Sequence, residues 1–148
     1  MGGNKMKRLK MRVRFDFVGK TKQNKLFGNK NSEHYAEEVR QHKISLIRNV
    51  PIQGIYIEDI DMSQEIYFVQ DEITGKRLAY APVSIIFYAD SMEDAVRFTM
   101  KEEFRKVEVL EPEEVNLSKF EMERLLLKVA EELVSYKDYL ERKIDNWK

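Results

Sequence analysis

Residues 77–110, RLAYAPVSIIFYADSMEDAVRFTMKEEFRKVEVL, contain in succession the patterns of a strand, a helix and a second strand. The first pattern, residues 77–88, is dense in Tyr, Val, Ile and Phe, which favour strands. Pro82 inside it predicts a bulge or an edge position, because proline has no N–H for the ladder. A capping box beginning at Ser91 opens the helix. The short strand that follows covers residues 106–110.

A similar succession precedes this stretch. Apolar and charged residues alternate over residues 9–18, which predicts a strand with one buried and one charged face. A polar loop then leads to a helix over residues 33–48, with Ser32 as its N-cap. Residues 52–62 and 64–72 predict either one long bent strand or two strands.

The helix over residues 33–48 is expected to bury one stripe of side chains, and Pro51 ends it. The stripe consists of Tyr35, Val39, Leu46 and Val50.

The order of elements predicts an α+β fold. Strand–helix–strand–strand–helix–strand matches the ferredoxin-like βαββαβ sandwich, with one extra strand if residues 52–72 form two. The chain of 148 residues has the length of a single domain. We expect the sandwich to cover residues 8–112, after a disordered or tag-like stretch at residues 1–7.

A long amphipathic helix is predicted for residues 118–147. Ser118 and Glu121 form a second capping box, and neither Gly nor Pro interrupts the helix. Such a helix spans about 45 Å, whereas a strand of ordinary length covers about 20 Å. We therefore expect it to overhang the sheet and to offer apolar side chains to a second copy. The interface residues predicted on this basis are Leu133, Tyr136, Leu140, Ile144 and Trp147.

Two alternatives to self-association are open for this helix. It can kink or fray and cover only its own domain. It can also belong against a different protein, which would make the chain a subunit of a hetero-complex.

Composition excludes several classes of protein. The chain has no Cys, so disulfides, thiolate catalysis and cysteine-based zinc sites are excluded. No run of about 18 apolar residues is present, so we expect no membrane span and a cytoplasmic protein. No pattern predicts a cofactor. The balance favours a binding or assembly module over an enzyme.

Charge is unevenly distributed along the chain. Residues 1–30 hold ten basic side chains and one acidic side chain, although the whole chain has no net charge. The asymmetry suggests contact with nucleic acid or with an acidic protein. The alternative is a basic edge that pairs with the acidic body of its own domain. The candidates for nucleic-acid contact are Arg12, Arg14, Lys20, Lys22, Lys25 and Lys30.

Two groups of residues point to an enzymatic or metal-dependent alternative. His34, Glu38 and His42 are four residues apart on a predicted helix, but both histidines cannot reach one ion, because they are about 12 Å apart along the axis. The acidic cluster at residues 58–61 can bind a cation or act in acid–base chemistry, although Glu58 is expected to point away from Asp59 and Asp61. A polar helix face and a solvated strand end are the simpler interpretations.

Residues of about 80–140 resemble the C-terminal extension domain of WYL-type bacterial transcriptional regulators. The resemblance rests on a strand at residues 83–87, the helix opened at Ser91, and the run VEVLEPEE at residues 107–114 that leads into a long helix. The arginine-bearing strand at residues 11–17 is also similar. The resemblance implies a ferredoxin-like fold that helps to assemble a regulator or contacts ligand or nucleic acid.

Overall fold

The structure, a computed structural model, describes residues 8–19 and 29–146. Its elements are β1 Leu9–Val18, α1 Asn29–Asn49, β2 Ile55–Asp61, β3 Tyr67–Gln70, β4 Arg77–Ala89, α2 Met92–Thr99, β5 Phe104–Glu111 and α3 Lys119–Asp145. The predicted stretch at residues 1–7 lies outside the described residues. The predicted α+β class is confirmed.

The five strands form one antiparallel sheet in the order β2-β4-β1-β5, and β3 also pairs with β4. β1 and β4 are its central strands, and they pair without a register shift from Leu9 opposite Ala89 to Val18 opposite Tyr80. β3 and β4 form a hairpin whose turn places Gly75 at φ +73°, a conformation that glycine adopts without strain. Residues 52–72 therefore contain two strands.

One face of the sheet is covered and the other is open. In β1 the alternate residues Leu9, Met11, Val13, Phe15 and Phe17 are buried, as the sequence predicts. They share the helix side of the sheet with Phe87, Val83 and Ile85 of β4, because directly opposed residues of antiparallel strands lie on the same face. The intervening charged residues of β1 point to the open face.

Aromatic rings pack against one another at the centre of the core. Phe98 of α2 meets Phe87 edge-on with ring centroids 4.8 Å apart, and meets Phe15 at 6.0 Å. α1 packs on β4 and β1 beside it. α1 buries Ala36, Arg40 and Ile44.

The buried side of α1 differs from the prediction. Tyr35, Leu46 and Val50 are exposed, while Val39 packs partly against the core. Ser32 is not the N-cap, because α1 already begins at Asn29.

Pro82 lies in the central strand β4, not at an edge of the sheet. On one side it is opposite Asp16 of β1. On the other side it falls between the stretch paired with β2, which ends at Ser84, and the stretch paired with β3, which begins at Tyr80. Arg40 enters this gap and donates hydrogen bonds to the carbonyl oxygens of Pro82 at 3.1 Å and Gln64 at 3.0 Å. The missing N–H of proline therefore falls where no ladder partner needs it.

β5 and α3 are outside the core. The core clusters formed by the described residues contain no side chain from either element. β4 has 13 residues, so this strand alone is about as long as α3. The expectation that α3 overhangs the sheet because the strands are short is therefore wrong. α3 instead runs along α2, which has only 8 residues.

Candidate functional site

α3 starts at a fully formed capping box. The Ser118 hydroxyl accepts from the backbone N–H of Glu121 at 3.1 Å, and the Glu121 carboxylate accepts from the N–H of Ser118 at the same distance. These bonds hold the pKa of Glu121 below its usual range. The predicted start of the helix is confirmed, and it continues unbroken to Asp145.

One side of α3 rests on α2, and that side is largely polar. Arg124 pairs with Glu93 at the start of α2 at 3.1 Å. Lys101, just beyond the end of α2, is exposed as a whole, but partial desolvation of its ammonium lowers its pKa, and the charges of Glu103 and then Glu132 act against that shift. The partly buried residues of α3 up to this point are Glu121, Leu125, Lys128 and Glu132.

The apolar stripe of α3 points away from α2. Its residues are exposed to between 37 % at Val129 and 64 % at Leu133. The stripe consists of Met122, Leu126, Val129, Leu133, Tyr136, Leu140 and Ile144. Its first four members each follow a partly buried residue by one position, so the stripe is turned by about 100° from the side that meets α2. α3 thus attaches mainly through polar side chains, together with Leu125, and leaves its apolar stripe about half exposed.

The second half of α3 extends past α2. From Leu133 to Asn146 every residue is exposed except Lys143, which is partly buried. Leu133, Tyr136, Leu140 and Ile144 are therefore where the sequence predicts an interface, and Tyr136 stacks on Tyr139 with ring centroids 6.2 Å apart. Trp147 lies outside the described residues. A second exposed row, Phe120, Leu127 and Val134, follows another side of the helix.

The open sheet face carries the described part of the basic segment. Each cation of β1 and its flank pairs with a carboxylate: Arg8 with Asp90 at 3.2 Å, Lys10 with Glu58 at 3.4 Å, Arg12 with Glu108 at 3.3 Å and Arg14 with Asp16 at 2.8 Å. Glu58 raises the pKa of Lys10, and Asp16 raises that of Arg14. Arg12 and Arg14 thus lie where the sequence places them, with their charges balanced locally.

Tyrosines on this face lie beneath the same cations. The guanidinium of Arg8 is 4.0 Å from the ring centre of Tyr56, and the ammonium of Lys10 is 5.7 Å from that of Tyr88. Tyr67 and Tyr80 stack on each other at 5.4 Å. The face therefore combines rings and cations, as a surface for stacking bases does.

Asp16 is the one fully buried acid of this face. Arg14 holds it with two hydrogen bonds, Arg105 lies 3.6 Å away, and the Tyr67 hydroxyl donates to it. Burial and the bond to Asp16 raise the pKa of Tyr67. The Asp16 carboxylate lies between the guanidiniums of Arg14 and Arg105, where an outside anion would have to bind. The cluster therefore connects β1, β3 and β5.

Most of the predicted basic loop lies beyond the described part of the chain. Lys20, Lys22 and Lys25 are outside the described residues. Lys30 is in the first turn of α1, and its side chain is also outside the described part.

The predicted acidic and histidine groups do not form a metal site within residues 8–19 and 29–146. A bulge between Ile57 and Asp59 brings Glu58 to the open face, where it accepts from the Tyr88 hydroxyl, so the expectation that it points away from Asp59 is wrong. Asp61 accepts from Ser63, which lowers its pKa. His34 pairs with Glu38 at 2.9 Å on the exposed side of α1.

Two shallow depressions flank Pro112. One of about 500 Å³ is lined by Arg8, Tyr88, Glu111 and Pro112, and one of about 280 Å³ lies between Leu9, Met92 and Leu117. The lining of the second also contains the carboxylates of Asp90, Glu114 and Glu121 and the hydroxyl of Ser91. That hydroxyl is bonded to Asp94 in the N-cap of α2.

Among the described helices, none combines the length and the apolar character needed to cross a bilayer. Comparisons with protein-family profiles, curated proteins and solved structures give no match for this chain. The resemblance to the extension domain of WYL-type regulators stays a prediction.

Proposed function

We propose that this protein is an assembly module that associates with a second copy of itself through the apolar stripe of α3. The observation that carries the proposal is the rotation of that stripe by one residue from the side that meets α2. A helix that must only cover its own domain would present its apolar side to it.

The energetics favour such an association. A Leu, Val or Met side chain gains about 1.5–3 kcal/mol when it is fully buried. Association costs about 4–15 kcal/mol in lost freedom of the two molecules. The stripe side chains are about half exposed, so burying them on both copies gains about 10–20 kcal/mol, which is comparable to or larger than that cost. Leaving such a stripe in water is unusual for a monomer.

The rest of the fold acts as the platform for α3. Its order of elements and its antiparallel strand order support a ferredoxin-like sheet in which the second strand is broken into β2 and β3. The interruption between β2 and β3 lies beside Pro82 of β4, where the side chain of Arg40 enters.

Light scattering on the full chain tests the assembly. We expect a dimer or a larger species at micromolar concentration, and Leu133→Asp should raise the dissociation constant at least about 100-fold, since it places a charge in the centre of an apolar seam. Val134→Asp is the matched control, because this neighbour is similarly exposed but lies off the stripe. A wild-type monomer at high concentration, or equal loss in both variants, would contradict the proposal.

Contact with nucleic acid or an acidic protein is a second candidate. The observation in its favour is an open sheet face with tyrosines flanked by cations. Because those cations are already paired, binding would require exchange of carboxylate for phosphate. The test is retardation of single-stranded RNA or DNA that weakens as salt rises and is lost in the Arg12→Glu, Arg14→Glu double variant. Retardation that the double variant retains would remove this face from the candidates.

A further inference from the structure

β5 is an edge strand of the described sheet and carries apolar side chains that the described residues leave partly exposed. It ends the strand order of the described residues, with β1 on one side only. Val107 and Val109 lie opposite Val13 and Met11, on the helix side of the sheet. Val13 and Met11 are buried, yet Val107 is 39 % and Val109 is 45 % exposed. The helix layer therefore stops short of β5.

Exposed edges of this length are usually blocked, because their free N–H and C=O groups invite another strand. β5 has 8 residues, and its open-face side chains alternate between Lys106 and Glu108. Alternating charges at an edge discourage some partners and select others, since an opposite charge directly across the ladder stabilises the pair and a like charge destabilises it.

We propose that the second copy pairs with the first through β5, edge to edge and antiparallel, with Val107 opposite Val107 on the twofold axis. The pairing rests on the proposed self-association and adds its geometry. In this register Lys106 of each copy lies opposite Glu108 of the other, which forms two ion pairs on the open face. Shifting the centre to Glu108 would place two glutamates against each other.

The same axis suits α3. A twofold axis perpendicular to the sheet keeps both helix layers on one side of the joined sheet. The connection from Pro112 to Ser118 is short and keeps the start of α3 close to the end of β5. In the proposed dimer the uncovered valines of β5 and the stripe of α3 both contribute to the interface between the two copies.

Cysteine cross-linking tests the register on a clean background, because the chain contains no Cys. Opposed residues of antiparallel strands have Cα atoms about 4.5–5.5 Å apart, within the range of about 4.4–6.8 Å that a disulfide spans. Val107→Cys should therefore form a covalent dimer under mild oxidation. Val109→Cys is the control, since the two copies of this residue would be about 14 Å apart along the strands.

Charge exchange gives an independent readout. Lys106→Glu should weaken the dimer roughly tenfold, as it places like charges across both pairs. It also lies opposite Arg14 within its own chain, so it does not oppose folding. The double variant Lys106→Glu, Glu108→Lys restores the complementarity between the copies and should return the dissociation constant to within about threefold of wild type. It also removes the ion pair of Glu108 with Arg12 of its own chain, so a melting curve is the control for its folding.

The outcomes separate this inference from the assembly itself. Efficient cross-linking of Val107→Cys, none of Val109→Cys, and rescue by the double charge exchange support the β5 pairing. A dimer that Leu133→Asp dissociates but in which both cysteine variants behave alike overturns the pairing and leaves the role of α3 intact. A monomeric wild type overturns both.

Discussion

α1 and α3 are the two long helices of this chain, and they use their apolar residues in opposite ways. α1 has 21 residues and buries Ala36, Ile44 and even the charged Arg40. α3 has 27 residues and buries none. An apolar stripe therefore determines which side of a helix must be covered, but not which surface covers it. For α1 the surface is β4 and β1, and for α3 we infer that it is a second copy.

The largest expected effect is a cavity beneath α1. Ile44→Ala should lower the free energy of unfolding by about 3 kcal/mol, because it removes a fully buried side chain from a packed core. Leu140→Ala in α3 should change it by less than about 0.5 kcal/mol in the dissociated chain. Urea denaturation at concentrations below the dimer dissociation constant measures both. Equal losses would mean that α3 is held by the core after all.

Arg40 gives the next largest effect. Arg40→Met keeps the apolar stem but removes the donors to the carbonyl oxygens of Gln64 and Pro82. We expect the free energy of unfolding to fall by about 2 kcal/mol, the usual cost of leaving buried acceptors without partners. Arg48→Met, at the exposed end of α1, is the control and should be close to neutral. If the melting curves of the two variants coincide, the guanidinium of Arg40 does not stabilise the interrupted stretch between β2 and β3.

The α3 cap should have a smaller and more local effect. Ser118→Ala removes one half of the capping box, which is worth about 1 kcal/mol. Because no described core residue belongs to α3, the loss should appear as roughly fivefold faster hydrogen exchange in its first turns. The global melting temperature should stay almost unchanged. A cooperative drop in melting temperature would contradict the separation of α3 from the core.

The smallest effect concerns acid. The hydrogen bond from Arg40 holds the pKa of Glu37 below its ordinary value near 4.5. A carboxylate with a lowered folded pKa stabilises the fold fully above its ordinary pKa and loses the effect progressively as the pH falls through the lowered one. Thermal melts of wild type and Glu37→Gln should therefore differ at pH 7, draw together as the pH falls below about 4.5, and coincide only below the lowered pKa of the folded state. A difference in melting temperature between the two proteins that persists in acid would show that the contact of Glu37 with Arg40 does not cause it.

Sequence patterns predict the order of elements and most of their positions because those depend on local chemistry. The alternation in β1 and the box at Ser118 are examples, and both are confirmed. The side on which each helix is buried was harder to predict. Periodicity predicts Tyr35 and Leu46 as buried in α1, but Ala36 is the buried residue, because it packs against the small side chains of Ala79 and Ala81 in β4.

The candidate interfaces were predictable only in part. The apolar spacing identifies Leu133 and Ile144, whose exposure agrees with an interface. Nothing local to Val107 or Val109 indicates that they are left out of the core, because that depends on how far the helix layer reaches across the sheet. The ion pair of Arg12 with Glu108 joins residues far apart in the chain, so no local sequence pattern predicts it.

The position of β1 has a consequence for the order in which the chain acquires structure during synthesis. β1 pairs only with β4 and β5 among the described strands, and its first partner, Ala89, lies far downstream of Leu9. A growing chain therefore presents a half-apolar strand without a ladder until β4 has left the ribosome. The β3–β4 hairpin closes a short loop and is ready first. The ion pair of Arg12 with Glu108 forms only after β5 has emerged as well, whereas Arg14 can pair with Asp16 inside β1 from the start. Until then Arg12 is an unpaired charge on β1, and the same side chain later joins β1 to β5.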